Sequence, residues 1–254
     1  MKTIAIANNK GGCGKTTTTE HLGELLAGMG MRTLLVDLDP QANLSQRFRF
    51  TAGQPNFTIA DALGGAAEPT VQLNEVVGHV GSAVDYTPLY LAQSEFHLAN
   101  VAFGLLNDAV RGRTALRRAL RCVAARYDLA LIDCPPEAGI LLVNALFAAD
   151  AVLLPAEPEA DALAGSRRVI EMVTHIRMEY ETRKPVVLGT LAIRVDKRTN
   201  RHQGGLAAMA AVPGVPLWGI IPERNGELRD RELRLAYHPA ATRLYAWLQG
   251  DDHA

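Results

Sequence analysis

A doubly wound α/β fold, a mostly parallel sheet with helices on both faces, is what this 254-residue sequence predicts. Three observations point to it. Short apolar runs recur along the chain, the stretches between them carry helical spacing, and the first run ends in a glycine-rich turn that opens a helix. The runs are residues 3–7, 33–36, 129–132, 151–154, 186–191 and 216–221. Each is apolar at consecutive rather than alternate positions, the pattern of a strand buried on both faces. Within 113–126, Leu116, Leu120 and Val123 form one stripe and Arg113, Arg117 and Arg121 another, so an amphipathic helix is expected there. The stretch 45–110 is less regular, with a short helix expected at 58–63 and a further strand at 83–86. Residues 196–209 and 223–234 are polar and charged, and read as loops or exposed helices.

Composition narrows the function classes. With 48% hydrophobic and 21% charged residues the chain has ample material for a core, and one domain is expected over residues 1–254. Twenty-six Lys/Arg against 27 Asp/Glu exclude nucleic-acid binding through bulk charge, so any such contact must come from a local patch. Three cysteines without paired spacing argue against a disulfide framework or an intrachain zinc site and suit a reducing cytosol. No run approaches the roughly 18 apolar residues of a transmembrane helix. The acidic end Asp251-Asp252 is a poor anchor for anionic lipid, so no membrane partner is expected.

The first run leads into Asn8-Asn9-Lys10-Gly11-Gly12-Cys13-Gly14-Lys15-Thr16-Thr17. A glycine-rich turn between strand and helix lets successive backbone N–H groups converge on phosphate oxygens. Lys15 is then placed to bridge β- and γ-phosphates, and the Thr16 hydroxyl to take Mg²⁺. The usual phosphate loop has glycine five residues before Gly14; this chain has Asn9 there, and Lys10 at the head of the loop.

That loop resembles the deviant Walker A loop of the ParA/MinD ATPases, whose additional lysine falls on Lys10. Further motifs extend the resemblance over nearly the whole chain: Asp37-Leu38-Asp39-Pro40-Gln41, Asp133-Cys134-Pro135-Pro136 after an apolar run, Glu159 after the next, Asp196-Lys197-Arg198-Thr199-Asn200, and Ile221-Pro222-Glu223-Arg224-Asn225 with Glu223 as an insertion. Tyr237-His238-Pro239 stands where the family usually has Tyr-Asp-Pro. The resemblance implies a slow, partner-stimulated ATP hydrolase with ATP and Mg²⁺ as cofactors. It further implies that two copies sandwich two ATP molecules and that Lys10 reaches the partner's phosphates. ATP would be bound by Lys10, Gly11, Gly12, Cys13, Gly14, Lys15, Thr16 and Thr17, with Glu159, Pro222 and Asn225 nearer ribose and base. Lys10, Lys15 and Asp39 would carry the chemistry, Asp39 by orienting the attacking water. Thr16, Asp37 and Asp133 would hold Mg²⁺, partly through water.

Alone, Asp39 reads equally as a turn carboxylate before Pro40, and Glu159 as a solvated loop acid or as a contact of Lys10 or of the ribose across the dimer. Cys13 and Cys134 read as small buried filler. From Thr190 onward there are nine Lys/Arg against seven Asp/Glu, a modest excess. Lys197, Arg198 and Arg201 cluster in one segment, and Arg224, Arg229 and Arg231 in another. By resemblance these are the DNA-binding residues, joined across the dimer and indifferent to sequence; the arginines of 113–126 are the alternative. The expected protein is cytoplasmic and nucleoid-associated, partners with itself, DNA and a ParB-like stimulator, and positions plasmid, chromosome or other cargo. The chain starts directly at its first strand, so no separate N-terminal DNA-reading domain is expected. A MinD-like membrane protein and a metabolic or electron-transfer P-loop enzyme are the alternatives.

Overall fold

All six apolar runs are strands. The structure, a computed structural model, describes the chain except residues 66–67, 82–86, 110, 197, 224–229 and 251–254 and the side chains of 230 and 231. The strand expected at 83–86 lies outside the described residues, as do Lys197, Arg224, Asn225 and Arg229.

The chain runs β1 (Lys2–Ile6), α1 (Lys15–Gly28), β2 (Thr33–Asp37), a 3-10 turn (Ser45–Arg47), α2 (Ile59–Leu63), α3 (Leu73–Val76), β3 (Val77–His79), β4 (Leu89–Ala92), α4 (Leu98–Leu106) and α5 (Ala115–Val123). It continues β5 (Leu129–Asp133), α6 (Ile140–Ala148), β6 (Ala151–Ala156), α7 (Ala160–Glu179), β7 (Val186–Val195), α8 (Asn200–Ala210), β8 (Leu217–Pro222), α9 (Asp230–Ala236) and α10 (His238–Gln249). Helix α8 falls in the polar stretch at 196–209 and buries only Met209, so it is an exposed helix. The amphipathic helix expected over 113–126 is shorter, α5, and buries Leu116, Leu120 and Val123 as its stripe requires.

The eight strands lie in the order β3-β4-β2-β5-β1-β6-β7-β8. Every neighbouring pair is parallel except β3 with β4, which turns the sheet's edge antiparallel. Strand β1 sits between β5 and β6; the connection to β2 runs to one side of it and that from β5 to β6 to the other. Such a reversal opens a crevice at the carboxyl ends of the strands, where open α/β sheets bind ligands.

Side-chain alternation sorts the core onto the two faces. Ala5 and Ala7 join Leu34, Val36, Ala130 and Ile132 beneath α2 to α7. Ile4 and Ile6 join Leu35 and Leu131 against Leu22 and Leu26 of α1 and Leu244 of α10. With both faces covered, neither stripe has to be polar, and that is why the runs read as uninterrupted apolar segments. Each buried Leu or Ile contributes roughly 1.5–3 kcal/mol relative to exposure, which anchors the strand ends that carry the site.

Candidate functional site

The carboxyl ends of β1, β2, β5 and β6 converge on the turn between β1 and α1. Gly12 and Gly14 both take φ +73°, a left-handed conformation that side chains resist, and Gly14 caps α1. The loop therefore curls over the helix N-terminus, where free N–H groups and the helix dipole favour an anion. Lys15 is buried, and its Nζ donates to the Lys10 carbonyl at 2.9 Å, folding the ammonium into the loop's concavity. Thr16 and Thr17 follow on the first turn of α1, half-buried. Cys13 is buried with its Sγ against the Lys10 carbonyl, and burial pushes its thiol up; Cys134 is likewise buried and pushed up by burial.

Asparagine replaces glycine at the loop's head for a visible reason. Asn9 Nδ2 donates to the Pro136 carbonyl at 2.7 Å and its Oδ1 accepts from Arg168 of α7 at 3.2 Å, so its side chain ties the loop to two neighbouring elements. Asn8 does the same from below, donating to the Pro155 carbonyl and Ser166 Oγ at 2.8 and 3.1 Å. Helix α7 can approach this closely because position 165 is glycine: a Cβ there would lie 2.2 Å from Asn8 Oδ1 and 3.1 Å from the Asn9 carbonyl carbon.

Three aspartates face the loop. Asp37 and Asp133 are paired in register at the ends of β2 and β5. Asp37 Oδ2 accepts from Ser45 N and Ser45 Oγ at 2.8 and 2.7 Å, and Oδ1 from Asp39 N at 3.2 Å. Burial pushes its carboxyl up to about 6 against the pull of the Ser45 donors. Both Asp133 oxygens are buried without a hydrogen-bond partner among the described residues. Burial, then the charge of Asp37, holds this group well above the usual carboxylate range, while Thr16 and Lys15 pull it the other way. A buried carboxylate without a donor is what a cation answers: Mg²⁺ fits here, with Asp133 and the Thr16 hydroxyl as the groups that would hold it and Asp37 beside them. Asp39 is buried, and its Oδ1 accepts from Gln41 N at 2.9 Å, closing the turn that sequence also allowed; no described donor reaches its Oδ2.

Glu159, at the start of α7, meets two cations and an imidazole of its own chain. Lys10 Nζ lies 4.0 Å away, Arg201 Nη2 3.2 Å and His202 Nε2 3.9 Å. Arg198 is held by Asp196, whose carboxyl it draws down to about 2. The side chains of Arg198 and Arg201 remain 77% and 71% exposed. A cleft of about 1220 Å³ opens beside the loop, lined by Gly14, Thr17, Ile193, Arg194, Ile221 and Pro222 and bordered by α1 and α9. Arg47, which sequence did not single out, stands on its rim, donating to Thr17 Oγ1 at 3.3 Å and pairing with Glu20.

A parallel sheet, a glycine-rich loop capping the helix after its central strand, a lysine folded into that loop and strand-end aspartates opposite define a P-loop nucleotide hydrolase. The family profile described as an AAA domain matches residues 1–185. The sporulation initiation inhibitor protein Soj of Bacillus subtilis is 35% identical over 78% of this chain and 75% of its own length. The chromosome partitioning protein ParA of Caulobacter vibrioides is 35% identical over 89% and 81%. Among solved structures, the cobyrinic acid a,c-diamide synthase of Mycobacterium smegmatis, with bound ADP and magnesium, superposes with a TM-score of 0.83 at 28% identity, covering 98% of this chain and 96% of its own. A Cyanothece McdA–ATP complex shares the fold with the same TM-score at 24% identity, covering 98% and 96%. The chain belongs to the ParA/Soj family of P-loop ATPases and is an ATP-hydrolysing enzyme.

Proposed function

We propose that this chain is a partition or positioning ATPase in which Mg–ATP joins two copies and the joined form holds DNA without sequence preference. The observation that carries the reading is the pairing of the Lys10–Thr16 loop with the bare carboxylate of Asp133, in a chain whose relatives are named chromosome-partitioning proteins. ATP phosphates lie on the N–H groups of Gly11 to Thr17, Lys15 bridges β- and γ-oxygens, and Lys10 crosses to the partner's nucleotide. Base and ribose enter the cleft that Pro222 lines. When bound, Mg²⁺ offsets the charge of the phosphates. Asp39 aims the attacking water with its uncommitted oxygen; positioning rather than basicity is what phosphoryl transfer asks of it.

DNA then meets Arg198 and Arg201, whose exposed guanidiniums keep donors free beyond their acidic neighbours, together with Lys197, Arg224, Arg229 and Arg231. Two copies double the local positive field, and each phosphate neutralised releases counterions. Hydrolysis, stimulated by a ParB-like partner, parts the copies and releases the nucleoid in the cytoplasm.

DNA binding measured with ATP, ADP and no nucleotide tests the scheme. Binding with ATP alone is expected, with a salt slope that falls by about 1 for each of Arg198→Ala and Arg229→Ala. A change only in Arg117→Ala moves the DNA surface to α5. Asp39→Ala is expected to bind ATP and pair yet hydrolyse poorly; equal loss of binding and turnover would refute that division. The likeness to the M. smegmatis cobyrinic acid a,c-diamide synthase favours a second reading, a metabolic P-loop enzyme. That reading predicts no DNA or liposome co-sedimentation in any nucleotide state.

A further inference from the structure

Between β2 and the 3-10 turn the chain passes Asp37, Asp39 and then Ala42, which takes φ +54°. A left-handed alanine is sterically disfavoured and persists only where the surroundings over-determine it. What fixes this turn is a closed ring of four hydrogen bonds. Ser45 Oγ donates to Asp37 Oδ2 at 2.7 Å and accepts from Ser94 N at 2.9 Å. Ser94 Oγ donates to the Asp39 carbonyl at 2.7 Å, and Asp39 N donates to Asp37 Oδ1 at 3.2 Å, which closes the circuit. The Asp39 carbonyl also accepts from Ala42 N at 2.9 Å, so the hydroxyl of Ser94 and the strained turn share one acceptor. Ser94 is buried just beyond the end of β4, and β2 and β5 lie between that strand and β1, which leads into the phosphate loop.

We propose that Ser45 and Ser94 are positioning residues for ATP hydrolysis, registering the Asp39 turn against Asp37 and the end of β4; this rests on the reading of Asp39 as the group that aims the attacking water. With Oδ1 of Asp39 committed to Gln41 N, the direction of its other oxygen is set by the backbone that the two serines hold. Opening the ring at Ser94 removes no contact of the nucleotide or of Asp37 and loosens that direction, whereas opening it at Ser45 also takes one of the three donors from Asp37. A misplacement of about 1 Å at a reacting group costs on the order of 100-fold in rate.

The test uses the full chain with Ser45→Ala, Ser94→Ala, the double variant, Ser45→Thr and Asp39→Asn. Turnover at saturating Mg–ATP is expected to fall about 10- to 100-fold in each alanine variant, with KM and affinity for a non-hydrolysable ATP analogue changed less than about 3-fold. Ser45→Thr, which keeps the hydroxyl at a half-buried position, returns turnover to within about 3-fold of wild type, and the double variant is no slower than the worse single one. Amide exchange at residues 39–42 quickens in the alanine variants without added nucleotide, by more than it does in the core strands β1 and β5. Unchanged turnover in both single variants, or losses in turnover, affinity and melting temperature that move together and are not rescued by threonine, would overturn the proposal. Slow Asp39→Asn beside fully active serine variants sinks the ring alone. Wild-type turnover in Asp39→Asn beside slow serine variants sinks the reading of Asp39, because the ring then acts on some other group.

Discussion

Asp37 and Asp133 stand side by side at the ends of adjacent strands, both sealed from water, and their surroundings are opposites. Asp37 receives three donors, two from Ser45 and one from the Asp39 backbone. Asp133 receives none among the described residues. Register alone therefore does not assign a role: the protein has answered one charge with its own hydrogen bonds and left the other to be answered by something it binds. The saturated carboxylate sets geometry, and the bare one is the cation's place.

Asp133→Asn gives the largest expected effect. Turnover should fall by about 100-fold or more through loss of the metal's charge partner. The Mg-dependent stabilisation by an ATP analogue, about 2.7 kcal/mol at a hundredfold excess over Kd, should vanish from thermal melts. Without metal the variant should melt higher than wild type, because a buried carboxylate with no donor has been removed. Asp37→Asn sharpens the contrast with the opposite sign. Its amide meets donors with a donor, so chemical unfolding should show a loss of about 1–3 kcal/mol with or without Mg²⁺. If both variants shift stability in the same direction, the distinction between the two acids is broken. Glu159→Gln is the smallest change. Its contacts with Lys10, Arg201 and the His202 ring are partly solvated, so unfolding free energy should move by less than about 1 kcal/mol, and a larger loss would show that this carboxylate is structural.

Much of this was legible in the residue order. Strands buried on both faces announce themselves as unbroken apolar runs, and the loop from Asn8 to Thr17 carries its phosphate chemistry in its residue types. Strands β3 and β4 escaped because three and four residues, one of them Gly78, are too short to show a period. The acids at strand ends could be named, but their difference could not. It depends on Ser45 and on Ser94, which meet across a separation of 49 residues and look like any other serines. Glu159 was expected near Lys10, or else at the ribose across a dimer; the structure brings it to Lys10 within one chain, and to Arg201 and His202 as well. Arg201 thus stands nearer the nucleotide loop than its place in a charged surface segment suggested.

One missing methyl group has reach beyond its neighbourhood. Because Gly165 lets α7 lie directly on the loop's first two asparagines, that helix is a rod with one end bolted to the phosphate loop. Its 20 residues extend about 30 Å, so a tilt of about 5° at the bolted end carries the far end roughly 2.6 Å. Met178 and Tyr180 stand there, exposed to solvent, where so small a rotation would be felt as a change of surface.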